Sequence, residues 1–275
     1  MLFRSPFTNF QLYGGAVYQS VKGDVALRGN SYSEAFNGYD AKFKQNHAVG
    51  WLAGLSYQIP DIALKAAVTY RSKIDHDMQV TETMFGEPLD VTTPSKTTIT
   101  TPQSVNIDFQ TGVYKDTLAY ANLRWVNWKD FHIRPTQFGA VTEYLTDLIS
   151  KGSYTGGFDL DSYQKDQWAA TLGIGHQFTE KWSASTEVSW DSGTGNPAST
   201  LNPTKGSWGL GLGVQFNPAE NYFIAGGIKY FWLGDVVAED GTYYIPVAGI
   251  KPIAEQADFK DNSAIAYGLK IGYKF

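Results

Sequence analysis

The sequence predicts an all-β protein, an antiparallel transmembrane β-barrel, and three observations predict it. Polar and apolar residues alternate with a two-residue period along most of the chain. Short and long connections take turns between the alternating segments. Aromatic residues stand at the segment ends. Successive side chains of a strand point to opposite faces, so a two-residue period marks strands.

Ten segments carry the alternation: roughly 9–27, 41–59, 64–73, 104–113, 116–130, 164–178, 181–193, 206–217, 220–234 and 260–275. In the third, Leu64, Ala66, Val68 and Tyr70 oppose Lys65, Ala67, Thr69, Arg71 and Lys73. In the fourth, Val105, Ile107 and Phe109 oppose Asn106, Asp108 and Gln110. In the eighth, Trp208, Leu210, Leu212, Val214 and Phe216 oppose Gly209, Gly211, Gly213 and Gln215. In the last, Ile265, Tyr267, Leu269, Ile271, Tyr273 and Phe275 oppose Ala266, Gly268, Lys270, Gly272 and Lys274. Cores of about 9–11 residues match a tilted membrane strand.

Short turns are expected near 58–61, 114–116, 179–181 and 217–221. Long loops are expected near 28–40, 74–97, 131–163, 194–205 and 235–259. Short periplasmic turns and long extracellular loops are the pattern of bacterial outer-membrane barrels, which sets the expected location. Trp168 and Phe178, Trp182 and Trp190, and Trp208 and Phe216 bracket three apolar faces and are expected to form the membrane girdle. A soluble β-sandwich is the competing reading; it would hide the same faces in a core.

Composition agrees. The 275 residues include 28 Gly and 15% aromatics, with 18% charged residues and a net charge of −5. No apolar run reaches the roughly 18–20 residues of a membrane helix. The acidic balance argues against nucleic acid as a partner. Cysteine is absent, which excludes a disulfide framework and a thiolate zinc site. His47, His76, His132 and His176 have no metal-ligand spacing, so neither metal nor cofactor is implied. Residues 1–8 are set apart as an unreliable or artefactual N-terminus, and 9–275 are read as one barrel domain.

Thr101-Pro102-Gln103-Ser104, then a strand, a short turn, and Leu118 through Trp125 to Trp128-Lys129-Asp130-Phe131, resemble a hairpin of the FadL/TodX family of outer-membrane transporters. Trp168 to Trp190, Trp208-Gly209-Leu210-Gly211-Leu212-Gly213, and Tyr222 to Asp235 resemble that family's last hairpins. The resemblance implies a fourteen-stranded barrel with an N-terminal hatch in the lumen. Aligned at the C-terminus, the ten segments become strands five to fourteen, with the hatch and four strands expected upstream. It also implies passive uptake of hydrophobic compounds, long-chain fatty acids foremost, with no catalytic residue.

A fatty acid carrier needs an apolar path and a few cations. Arg71, Arg124 and Lys65 on the polar face are candidates for the substrate carboxylate, since Arg offers a bidentate fork. The alternative is pairing with lumenal acids such as Asp108, Glu187 and Asp191, or contact with water. Met84, Phe85 and Leu89 are candidates for an external hydrophobic groove, or simply for a loop packing on its own barrel mouth. Val141, Leu145, Leu148 and Ile149 have the spacing of a short amphipathic helix. Tyr273 and Phe275 form a terminal aromatic signal of the kind read by the barrel-assembly machinery, or the end of the girdle. Outer-membrane lipid and lipopolysaccharide are the expected surroundings. Two other functions stay open: a general porin or structural barrel, and a barrel hydrolase centred on His76 in Asp75-His76-Asp77, a cluster otherwise expected in a solvated loop.

Overall fold

The computed structural model describes residues 2–4, 9–30, 32–195, 197–239 and 256–273. Ten long strands form one antiparallel up-and-down sheet: β1 Phe10–Ala26, β2 Tyr39–Ile59, β3 Leu64–Arg71, β4 Ser104–Tyr114, β5 Thr117–Val126, β6 Gln167–Gln177, β7 Trp182–Asp191, β8 Ser207–Ala219, β9 Tyr222–Leu233 and β10 Ser263–Tyr273. Each strand pairs with its neighbours in the chain. Leu2–Arg4 adds a short strand against Gln11–Tyr13 of β1. Among the described residues β10 pairs as a strand with β9 and with no other strand, and the sheet order ends at Leu2–Arg4 on one side and at β10 on the other.

The four tight connections lie at one end and the long ones at the other. Ala63 (φ 51°) and Asp116 (φ 55°) adopt left-handed backbone in two of these turns. Two expected segments are shorter than the alternation suggests. β5 stops at Val126 because Trp128–Asp130 turns into a 3-10 helix, and β3 stops at Arg71, leaving Lys73 beyond it. β1 and β2, at 17 and 21 residues, lie close to the expected 9–27 and 41–59 and extend past the rim.

The outward face decides between barrel and sandwich. Trp168, Leu210 and Ile271 are 45%, 44% and 59% exposed, where a sandwich would bury them. Such a continuous exposed apolar face is foreign to a soluble monomer. The buried core lies at the long-loop end instead: Leu27, Tyr32, Phe36, Tyr39, Phe43, Met78, Ile99, Phe138, Phe158 and Leu160 form one cluster.

Helix α1, Thr136–Ser150, belongs to this cap. Its buried face carries Phe138, Thr142 and Thr146, with Val141 and Leu145 at the margin; Leu148 and Ile149 are exposed. The apolar stripe expected to bury therefore points partly outward. Thr142 and Thr146 replace it inside because their hydroxyls bond the main chain at Gly139, Phe158 and Gly157.

The lumen wall is knitted by long side chains lying across glycines. Tyr120 of β5 crosses Gly173 of β6 and donates to Glu187 of β7 at 3.0 Å. Glu187 crosses Gly211 of β8 and takes Lys229 of β9 at 2.7 Å. Tyr13 of β1 crosses Gly54 and meets Thr69 of β3 at 2.5 Å. A side chain at such a glycine has no room. Gly173→Val is expected to displace Tyr120 and cost about 1–3 kcal/mol through overpacking and the lost bond. Gly15→Val, where an added Cβ meets nothing within 4 Å, should be near neutral. Urea midpoints of the folded barrel check both; equal midpoints would refute the account.

Candidate functional site: the lumen and its outer mouth

Register assigns each lumenal residue a level. One level reads Lys65, Gln110, Tyr120, Gly173, Glu187, Gly211, Lys229 and Ala266 from β3 to β10. The next level toward the short turns reads Gly112, Leu118, Gly175, Ser185, Gly213, Gly227 and Gly268 across seven strands. With strands about 4.8 Å apart, this makes a groove roughly 29 Å long whose floor is glycine on five strands and Leu118 and Ser185 on the other two. Below it stand Gln177, Ser183, Gln215, Ala225 and Lys270. A cavity of about 850 Å³ opens over Gly112, Leu118, Gly175, Ser185 and Gly213.

Only some glycines of the second level differ in cause from those of the first: at Gly112 and Gly227 an added Cβ would press on the main-chain oxygens of Ile62 and Leu212 at 3.0 and 3.2 Å, and at Gly213 on the Ser185 hydroxyl at 2.8 Å. At Gly173 and Gly211 a neighbour's side chain fills the space. At Gly175 an added Cβ would make only ordinary contacts of 3.7 Å, and at Gly268 it would touch nothing. Packing of the wall does not require glycine there. Glycine in a strand interior weakens it and often marks close approach of something else.

The lumenal charges divide unevenly. Asp108 accepts from Asn122 at 2.7 Å, Glu187 from Lys229 and Tyr120, and Asp191 from Gln167 at 2.9 Å and from the Gly193 N–H at 2.7 Å. Lys65, Arg71 and Arg124 carry no hydrogen bond or ion pair among the described residues. All three project from the β3–β5 sector. Arg71 faces Ser104 and Arg124 faces Asn106, the next lumenal position on β4, so roughly 10–12 Å of wall separates them. Lys65 lies deeper, in a cavity of about 600 Å³ shared with Gln11, Tyr13, Ser56, Gln110 and Tyr120.

Above the rim, β3 and β4 continue as a hairpin that leans inward. Ile74–Met78 pairs with Thr97–Thr101, and Val80–Met84 then rejoins β2. The 74–97 segment is thus largely strand rather than irregular loop. Its Ile74, His76 and Met78 are buried against β1 and β2, with Ile74 packed over Gly50. His76 is fully buried, not solvated: its ring nitrogens lie 3.0 Å from Asn46 Oδ1 and from Gln19 Oε1. Desolvation lowers its pKa, with Asp75 opposing and His47 adding to the shift. The imidazole ties the hairpin to the wall and faces amides, not a nucleophile.

Met84 and Leu89 pack against the cap core, whereas Phe85 projects from a turn at φ 53° and is 76% exposed. The three do not line a common groove. On the outward face Trp125 pairs with Trp168, and Trp190, Trp208 and Trp232 lie in one register row. Nearer the short turns, Trp182 stacks on Phe216 at 4.5 Å, Phe178 is exposed, and Tyr222 faces Tyr273. Trp208 and Phe216 stand about 26 Å apart along the strand, or about 20 Å in height at a 40° tilt. Phe275 lies outside the described residues. At the rim, burial disfavours the Asp166 charge. Bonds from Asn127, the Lys129 N–H and Trp125 outweigh that and hold its carboxyl below the usual range.

No protein-family model matches the sequence, and no curated protein matches it. Solved structures are similar in fold. A Pseudomonas aeruginosa FadL homologue superposes with a TM-score of 0.65 at 15% identity, over 100% of this chain and 66% of its own. The monoaromatic hydrocarbon channel CymD gives 0.50 at 11%, over 84% and 66%. The Ralstonia pickettii toluene transporter TbuX gives 0.50 at 13%, over 97% and 63%. This chain therefore spans less than two-thirds of the length of each. Its fold is the antiparallel transmembrane β-barrel of FadL-type channels.

Proposed function

We propose that this chain forms wall and outer mouth of a bacterial outer-membrane channel for passive uptake of hydrophobic compounds, long-chain fatty acids foremost. The toluene and hydrocarbon channels of the same fold support the hydrophobic class. The carboxylate preference is carried by one observation: among the described residues Asp108, Glu187 and Asp191 have partners while Lys65, Arg71 and Arg124 have none. An anionic head can bond these cations, and the glycine groove can take a chain that needs no polar partner. The outward tryptophan rows serve as the membrane girdle in this reading, with Tyr273 at its lower edge.

Arg71→Ala with Arg124→Ala is expected to reduce uptake of labelled oleate by about tenfold, the worth of one good charge-assisted contact. Toluene uptake should not change. A porin would instead pass small sugars at similar rates and ignore both substitutions; that result would remove the proposal.

A further inference from the structure

We infer that the barrel wall carries, on its membrane-facing side at the outer girdle, a binding site for the phosphorylated sugar headgroup of a glycolipid of the lipopolysaccharide class. The site is a notch left where β3 and β4 depart from the wall. β3 pairs with β2 as far as Arg71 opposite Leu52, and Val80 rejoins β2 opposite Phe43. Between these points no strand pairs with β2 on that side among the described residues. The intervening hairpin, Ile74–Met78 with Thr97–Thr101, forms a separate two-stranded sheet. A cavity of about 680 Å³ occupies the gap, bounded by Trp51 of β2 and by Asn127, Asp130 and Phe131 after β5. β2 and β5 stand three strand spacings apart, about 14 Å.

Parity and register fix where the notch opens. Trp51, Tyr70, Gln103 and Asn127 take outward positions, each next in sequence to a lumenal one at Leu52, Arg71, Ser104 and Val126. Tyr70 shares its register row with Val105, Trp125 and Trp168, the upper row of the girdle, and the Trp51 ring lies 5.0 Å from it. Such rows sit at headgroup level. The notch therefore meets lipid headgroups rather than acyl chains.

The lining selects a phosphorylated sugar. A pyranose offers its C–H face to an aromatic ring and its rim of hydroxyls to amides and carboxylates. Trp51 and Tyr70 supply rings at one flank; Phe131, packed with Trp128 at 5.1 Å and Tyr163 at 5.4 Å, supplies one at the other. Between them the amides are held in place: the Tyr70 hydroxyl donates to Gln103 Oε1 at 2.7 Å, and Asn127 donates to Asp166 at 3.0 Å. Each amide keeps further bonding capacity for a ligand. The side chains of Lys73 and Asp130 line the same cavity and carry no hydrogen bond or ion pair among the described residues; His132 lines it too, in the field of Asp159. Lys73 can take a phosphate, whereas Asp130 accepts from hydroxyls and disfavours a plain anionic head. Volume and lining, rings with a few fixed polar groups, are those of a small-molecule site. The inference rests on the outward face meeting lipid and not on the transport reading.

Deep-rough lipopolysaccharide, titrated into detergent-purified protein and followed by native mass spectrometry, is expected to bind as a single copy. Lys73→Gln and Trp51→Leu should each weaken it at least about tenfold. Trp232→Leu, an exposed girdle residue on β9 away from the notch, should leave it unchanged. In the unaltered protein the lipopolysaccharide should slow hydrogen exchange across 127–132, a readout that needs no variant. Phosphatidylglycerol binding as tightly would mean a site for any anionic lipid, and glucosamine 1-phosphate binding as tightly would mean a site for a free sugar phosphate; either result overturns the proposal. So does lipopolysaccharide binding that is absent or that survives both substitutions.

Discussion

Glu82→Ala is expected to unravel the outer cap while leaving the barrel folded. Glu82 is 5% exposed and sits where three donors converge. Its Oε1 accepts from the Gln137 N–H at 2.9 Å, its Oε2 from the Phe138 N–H at 2.7 Å and from the Tyr39 hydroxyl at 2.8 Å. The first two are orphan donors at the start of α1, where Pro135 at the N-cap offers no side-chain acceptor. The carboxylate thus caps the helix from another strand and meets the positive end of its dipole. Tyr39 has no exposed surface; burial, then the neighbouring Glu82 charge, push its hydroxyl far up, so it stays a donor at any accessible pH. Alanine would leave that hydroxyl and two N–H groups buried and unpaired and would open a void, together about 3–5 kcal/mol. Hydrogen exchange across 136–150 checks this. Fast exchange confined to the cap is expected; unchanged protection would mean that water replaces the carboxylate. Glu82→Gln keeps one acceptor oxygen and should fall between.

Strand existence and facing were legible because alternation is a local signal, as at Trp208–Phe216, where every second residue is apolar. What alternation cannot carry is register. The glycines at 112, 175, 213, 227 and 268 looked like separate features until strand pairing set them at one level. The same holds for Tyr120, Glu187 and Lys229, whose meeting depends on two intervening glycines. The inward hairpin reads as loop because Ile74, His76 and Met78 alternate with Asp75 and Asp77 over only five residues, too few to mark a membrane strand. Only the surroundings show that their buried face meets β1 and β2 rather than lipid. A histidine between two aspartates reads as solvated until Gln19 and Asn46, distant in sequence, arrive beside it. Glu82 carried no local sign, since its partners lie more than forty residues away on both sides.

Gly175→Phe and Gly213→Phe are expected to block long-chain uptake without harming the barrel. Both glycines face the lumen within the groove. At Gly175 the nearest atoms to a new Cβ lie 3.7 Å away, and at Gly213 the closest is the rotatable Ser185 hydroxyl at 2.8 Å. Each ring can therefore swing into the cavity, and strand propensity favours Phe over Gly. A folded barrel with normal urea stability but at least about tenfold slower oleate uptake is expected, since a filled track costs every contact along it. Gly15→Phe supplies the control: it also faces the lumen, on β1, and has open space around it, but it lies outside the groove. If the control slows uptake equally, bulk obstruction and not the groove is responsible. If none of the three slows it while the arginine pair still does, substrate follows the cationic β3–β5 wall and the glycine level has another cause. The groove account stands only if position, rather than added volume, decides the rate.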